Sequence, residues 1–159
     1  MTDTTALKAL LAKVEAGDTP SRQLDGEIDA LLRIGSRKLQ SEKWAWTGFP
    51  NWAAMPHKPG HCQLMHSDGS GGVWWESLRF TTSTDAALSL LAAVLPGWTW
   101  LIRAGGIGDQ PAHREMFFAN IWRGVSPNEG GEPFEAWSET PARALLIAAL
   151  KALVAIAEE

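Results

Sequence analysis

The stretch from Pro141 to about Ala157 limits the possible folds more than any other part of the chain. Leu146, Leu150 and Leu153 form one apolar stripe, Leu145, Ile147 and Val154 fill flanking ones, and Arg143 and Lys151 are its only internal charges. Thr140-Pro141 opens it as an N-cap residue followed by a first-turn proline. A helix apolar nearly all round must be covered on more than one side. Either the N-terminal helices pack over it or a second copy of the chain does, and the latter predicts a C2 homodimer.

Other segments show helical periodicity with clear punctuation. Thr4 or Thr5 caps a helix to about Ala16, with Leu7, Leu10, Leu11 and Val14 as its stripe and Gly17 as its end. Pro20-Ser21 opens a second, with Leu24, Ile28, Leu31 and Leu32 on one side, stopping near Gly35. Thr81-Thr82-Ser83-Thr84-Asp85 caps a third from Ala86 to Leu95, ended by Pro96-Gly97. Strands are expected at Trp98–Arg103, Met116–Arg123 and Phe134–Ser138, the second with Phe117, Ala119 and Ile121 on one side and Phe118, Asn120 and Trp122 on the other.

The predicted class is therefore α+β: a small antiparallel sheet of three to four strands layered with helices in an α/β/α sandwich-like arrangement. One domain spans 1–159, made of N-terminal helices (1–35), a long Trp-rich insert (36–80) and a helix-strand-strand-strand-helix core (81–159). The insert lacks periodicity apart from a strand candidate at Gly72–Phe80, and a structureless loop of that length is improbable in a compact domain. It should hold short strands or a functional excursion.

Charge and cysteine usage narrow the function classes. The net charge is -4, which opposes non-specific attraction to nucleic acid and to anionic membranes. The single cysteine, Cys62, allows no internal disulfide and suits a reducing, cytoplasmic compartment. The start of the chain lacks the basic and apolar pattern of a secretory signal, and no apolar run reaches the roughly 20 residues of a membrane span.

No constellation assembles the groups that catalysis needs. His57, His61, Cys62 and His66 are of the right types for zinc, but Pro59 and Gly60 break any helix that would align them, and adjacent residues do not aim easily at one ion. A triad drawn from Cys62, His66 and Asp68, or from Ser70, would lie on one short stretch, where such geometry is rarely reached. Gly69-Ser70-Gly71-Gly72 lacks the ending of a phosphate-binding loop and reads as a turn, as does Gly105-Gly106. Asp25, Glu27 and Asp29 read as a solvated helix surface, and Asp85 as a helix-start residue. No cofactor and no metal site is expected.

The tryptophans are the informative anomaly: nine, with no tyrosine, and five of them (Trp44, Trp46, Trp52, Trp74 and Trp75) in the insert. Tryptophan is enriched in cores, interface hot spots and stacking pockets. Trp98, Trp100 and Trp122 on predicted strands read as core. The insert tryptophans, with Lys43 and Arg79 and the neighbouring Arg37, Lys38 and Lys58, suit a contact surface or an anionic aromatic ligand such as a nucleotide.

Three stretches carry a resemblance. Pro20-Ser21-Arg22-Gln23-Leu24-Asp25-Gly26-Glu27-Ile28, Phe80-Thr81-Thr82-Ser83-Thr84-Asp85-Ala86-Ala87-Leu88 and Thr140-Pro141-Ala142-Arg143-Ala144-Leu145, with Pro96-Gly97-Trp98-Thr99-Trp100 between the last two, resemble the phage ABA-sandwich domain family of small phage and prophage proteins. The resemblance runs from about Pro20 to Ala157. It implies a layered helix-sheet-helix fold and a phage or prophage origin, and it brings no catalytic residues. The expectation is a non-enzymatic accessory protein in the host cytoplasm that binds a host protein or a small nucleotide-type ligand, in host physiology or counter-defence. Trp44, Trp46, Trp52, Trp74, Trp75, Lys43 and Arg79 would be its contact residues. The alternatives are a double-stranded nucleic-acid-binding module and a metal-dependent enzyme using the His57/His61/Cys62/His66 loop.

Overall fold

The computed structural model describes residues 3–17, 21–34, 51–65, 68, 71–105, 116–127 and 129–159. Four helices are present among them. Helix α1 (Thr4–Ala16) is capped by Asp3, whose carboxylate accepts the Thr5 N–H, so the cap lies one residue before the threonines. Helix α2 (Arg22–Leu32) is capped by Ser21 and ends at Arg33, which adopts a left-handed conformation with φ 54°. Helix α3 (Thr84–Val94) takes Ser83 as its cap, and α4 (Pro141–Glu158) takes Thr140, with proline in its first turn.

The strands form two antiparallel three-stranded sheets rather than one. The first contains β1 (Asn51–Ala54), β2 (His61–Met65) and β3 (Gly71–Glu76) in sequential order. The second contains β4 (Trp98–Ala104), β5 (Phe117–Arg123) and β6 (Phe134–Ser138), also sequential. The class is α+β with small sheets, and the described part of the Trp-rich segment holds the short strands β1, β2 and β3 paired as an antiparallel meander. Its third strand stops at Glu76, four residues short of the expected end at Phe80. Residues 77–80 instead lead to a turn in which Thr82 and Ser83 donate to the Arg79 carbonyl.

The core is centred on α4. Ala142, the run from Ala144 to Leu150, Ala152 and Val154 are buried. α4 packs on all three strands of the second sheet and against α1 and α3. The coverage this helix requires is thus supplied within the chain, and no second copy is needed to bury it. Arg143 ties it to α1 by donating to the carbonyls of Val14 (2.8 Å) and Glu15 (2.9 Å). None of the described helices is long and apolar enough to cross a membrane.

β5 divides its side chains as its alternation predicts. Ala119 and Ile121 join the core, whereas Phe118 and Trp122 are buried on the opposite face. Trp98 packs against the core beside Phe134, with ring centres 5.9 Å apart, but Trp100 is substantially exposed on edge strand β4 and is not the core residue expected.

Candidate functional site

Where the first sheet meets α2, side chains that look solvated in the sequence are buried. Asp25 is 0% exposed and Asp29 is 2% exposed, so neither lies on the solvated helix surface expected for them. Only Glu27 of the three reaches outward, to pair with Lys13 at 2.6 Å. Asp25 Oδ1 accepts the backbone N–H of Thr81 at 2.8 Å, and Oδ2 accepts Nη1 of Arg22 at 2.9 Å. Burial is tolerable because both oxygens are paired.

The Arg22 guanidinium completes this junction. Nη2 donates to the carbonyls of Gly60 (3.3 Å) and Ser77 (2.9 Å) and to Glu76 Oε1 (3.0 Å), while Nη1 also reaches the Leu78 carbonyl (3.3 Å). One side chain therefore binds the β1–β2 turn, the end of β3 and the segment leading to α3. Gly60 permits this approach: with φ +76°, a Cβ there would lie 2.6 Å from the guanidinium. Gly26 does the same on the opposite side, since a Cβ there would sit 3.3 Å from the His61 carbonyl, so α2 runs close over β2.

Strand alternation separates the candidate chemistry of the first sheet onto two faces. Cys62 and Trp75 are cross-strand partners facing α2. Trp75 Nε1 donates to Asp29 Oδ2 at 3.1 Å; the Cys62 thiol donates to the Gly26 carbonyl at 3.0 Å and lies 3.3 Å from Ser77 Oγ. Burial is the main cause that pushes the Cys62 thiol up to about 12, the nearby Asp29 carboxylate adding to it. A thiol this basic is protonated at neutral pH and is not a nucleophile.

Two results are expected from Cys62. Alkylation of the native protein near pH 8 should run about a thousand-fold slower than for a free thiol, in line with the shift in thiolate population. Because the folded state holds this proton more tightly than the unfolded chain, the stability from this group is full below about pH 9. It should fall as pH rises toward 12, with a slope of at most about 1.4 kcal/mol per pH unit. Alkylation rates and urea midpoints across that range check both; fast native alkylation would contradict the buried placement.

The outer face of the same sheet carries His61, Gln63, Trp74 and Glu76, with His61 opposite Glu76 and Gln63 opposite Trp74. Trp74 is 55% exposed, the Lys58 ammonium stands 3.8 Å from its ring centre, and the His61 ring is 5.6 Å away at 50°. Lys58 comes from the β1–β2 turn, whose shape is fixed by bonds from Lys58 N to the Met55 carbonyl and from His61 N to the Lys58 carbonyl. Beyond the end of β3, residues Glu76–Arg79 with Ser83, Asp85, Ala86 and Ser89 line a shallow groove of about 480 Å³ that includes exposed Leu78.

Of the contact residues expected from sequence, Trp74 stands on this face, Arg79 is exposed at the groove, and Trp75 is turned inward and bound to Asp29. Trp52 lies on β1, where only its backbone is described, and Lys43, Trp44 and Trp46 lie outside the described residues. His61 and Cys62 are on opposite faces of β2, so they cannot share an ion, and His66 and Ser70 lie outside the described residues. Among the described residues no group of three or more His, Cys, Asp or Glu side chains is placed to hold a metal. Lys58 was among the basic residues the sequence groups with the insert tryptophans, whereas His61 is a partner of Trp74 that reading the chain linearly missed; the signal was available in the turn Pro56–Gly60, which returns the chain toward the strand that pairs with β3.

The fold and its junction define an α+β protein in which the buried polar side chains of α2 fasten a three-stranded sheet, with Trp74 and Glu76 exposed on the sheet's other face. No family model, no curated protein and no solved structure matches the chain.

Proposed function

We propose that this chain is a non-enzymatic binding protein that holds a macromolecular partner on the outer face of its first sheet, with Trp74 as the anchor. The observation that carries the reading is the Trp74 ring, more than half exposed on the sheet, with the Lys58 ammonium over it and His61 beside it. A tryptophan buries a large area when a partner covers it and is enriched among interface hot spots. An exposed ring standing out from a sheet favours a macromolecule over a small ligand, which needs a concave site. Lys58 and Arg79 favour a partner presenting acidic and apolar groups together.

The side chains an enzyme would use have other roles in the fold: Cys62 is buried and protonated, and Asp25 and Asp29 are bonded to Arg22, Thr81 and Trp75. The resemblance to phage ABA-sandwich proteins extends the proposal to a phage or prophage accessory protein whose partner is a factor of the host cytoplasm. A double-stranded nucleic-acid module finds no support in α4, where Arg143 is bound to backbone carbonyls of α1 and offers no basic row for phosphates.

Quantitative affinity purification with wild-type, Trp74→Ala and Lys58→Glu baits tests the reading. Both substitutions are at exposed positions and should shift stability by about 0.5 kcal/mol or less. Trp74→Ala should weaken retention of a specific partner by about 2 kcal/mol, roughly 30-fold in affinity, and Lys58→Glu should weaken it further at low salt than at high salt. Equal retention of the same partners by all three baits would overturn the proposal.

A further inference from the structure

We propose that the free edge of β4 docks a second copy of this chain, the two β4 strands pairing antiparallel about a two-fold axis at Leu101 and joining two three-stranded sheets into one. Among the described residues β4 pairs with β5 alone, so its other edge ends the sheet. On the β5 side the Gly105 N–H donates to the Met116 carbonyl at 2.9 Å. Backbone groups alternate in direction along a strand, and the β4–β5 register is unbroken, so the N–H and C=O of Trp100, Ile102 and Ala104 point away from β5.

Such a row of backbone groups is a template for another strand unless the fold blocks it with lysine, proline, a bulge or a very short strand. β4 has none of these devices: its seven residues hold neither lysine nor proline, its pairing with β5 has no bulge, and Arg103 is its only charge. None of the seven is buried, whereas four of the seven in β5 are. The opposite edge of the same sheet is guarded, because β6 has five residues, follows Pro133 directly and carries exposed Glu135. The contrast leaves β4 as the edge of this sheet fitted for pairing.

Self-complementarity selects a second copy as the occupant. Trp100 is 44% exposed and Leu101 is 43% exposed, and strand alternation puts them on opposite faces. A two-fold axis at Leu101 sets Leu101 against Leu101 of the second copy, Trp100 against Ile102, Thr99 against Arg103 and Trp98 against Ala104. Trp100 and Ile102 both present outward backbone groups, so they form hydrogen-bonded pairs. Leu101 then falls at the closer, non-hydrogen-bonded pair, with about 4.5 Å between Cα atoms. Both large exposed side chains gain apolar partners, and neither Arg103 faces its own equivalent. An unrelated strand would satisfy the backbone alone. The interface is distinct from the coverage of α4, which the chain supplies itself, and it is independent of the Trp74 face.

Sedimentation velocity of the full chain from about 1 to about 500 µM tests the pairing, and a dimer is expected within that range. Leu101→Lys keeps the N–H that bonds β5 but sets two ammonium groups directly opposite each other, so it should weaken dimerisation at least about tenfold. Val125→Lys, at an exposed position outside β4, should leave it unchanged. Leu101→Cys reads the register, because thiols at a non-hydrogen-bonded pair lie within disulfide reach. Oxidised glutathione, which accepts their two electrons and two protons, should link Leu101→Cys copies much faster than Val125→Cys copies, and buried Cys62 does not compete. A wild-type chain that stays monomeric to about 500 µM would overturn the proposal. So would a dimer that folded Leu101→Lys leaves intact, or Leu101→Cys copies linked no faster than Val125→Cys ones. The wild-type result stands even if a variant does not fold.

Discussion

Replacing Asp25 by alanine is expected to destabilise the fold by about 3–5 kcal/mol, the cost of leaving one member of a buried charge pair without its partner. The substitution removes the acceptor for the Thr81 N–H and for Arg22 Nη1 at once. Arg22 keeps its contacts to Gly60, Ser77, Leu78 and the exposed Glu76 carboxylate but loses the buried one of its two carboxylate partners. Asp25→Asn isolates the charge, since its amide oxygen still serves Thr81; it should cost about 1.5–3 kcal/mol, the range for a hydrogen bond to a charged group. Urea unfolding measures both. A cost below about 1 kcal/mol for the alanine variant would mean that Asp25 is not the anchor described here.

Phe80→Ala should be comparably severe, at about 3–5 kcal/mol, because Phe80 is fully buried in the main core and its loss leaves a large cavity. The two positions are coupled. Phe80 immediately precedes Thr81, whose backbone Asp25 holds, so burial of the ring and pairing of the carboxylate fix the same segment between β3 and the Ser83 cap of α3. The double variant should therefore cost less than the sum of the single ones, by an interaction energy on the order of 0.5–3 kcal/mol. Full additivity would indicate that the two act on separate parts of the fold. The unfolding midpoints of all three variants decide this.

The helices were legible because their signals are local. Ser83 and Thr140-Pro141 mark helix starts by side-chain and ring chemistry that needs no distant partner, and the apolar spacing of α4 already demanded coverage from several sides. β5 was legible for the same reason, its alternation stating which residues share a face. Of the first sheet only β3 was legible, through the strand candidate at Gly72–Phe80. Its strands are four to six residues long, carry glycine and tryptophan, and take their identity from pairing with one another.

The polar junction was hidden by sequence distance. Arg22 and Asp25 at i,i+3 on a helix look like a surface ion pair, and only contact with residues 60 and 76–81 turns them into a buried anchor. Trp74 and Trp75 show the same limit at closer range. As neighbours in a Trp-rich run they read alike, but strand alternation sends Trp75 inward to Asp29 and Trp74 out to Lys58. A sequence count of tryptophans could locate the interesting segment without saying which of them faces solvent.

Site-specific photo-crosslinking asks whether the outer face of the first sheet makes the chain's principal contact. A benzophenone amino acid placed at Gln63, opposite Trp74 on that face, is compared with the same group at exposed Val125, in extract from the cells that carry the gene. A discrete crosslinked species is expected from position 63 and lost when Trp74→Ala is added, with none from position 125. The same adducts from both positions, or an adduct from 63 that survives Trp74→Ala, would contradict it.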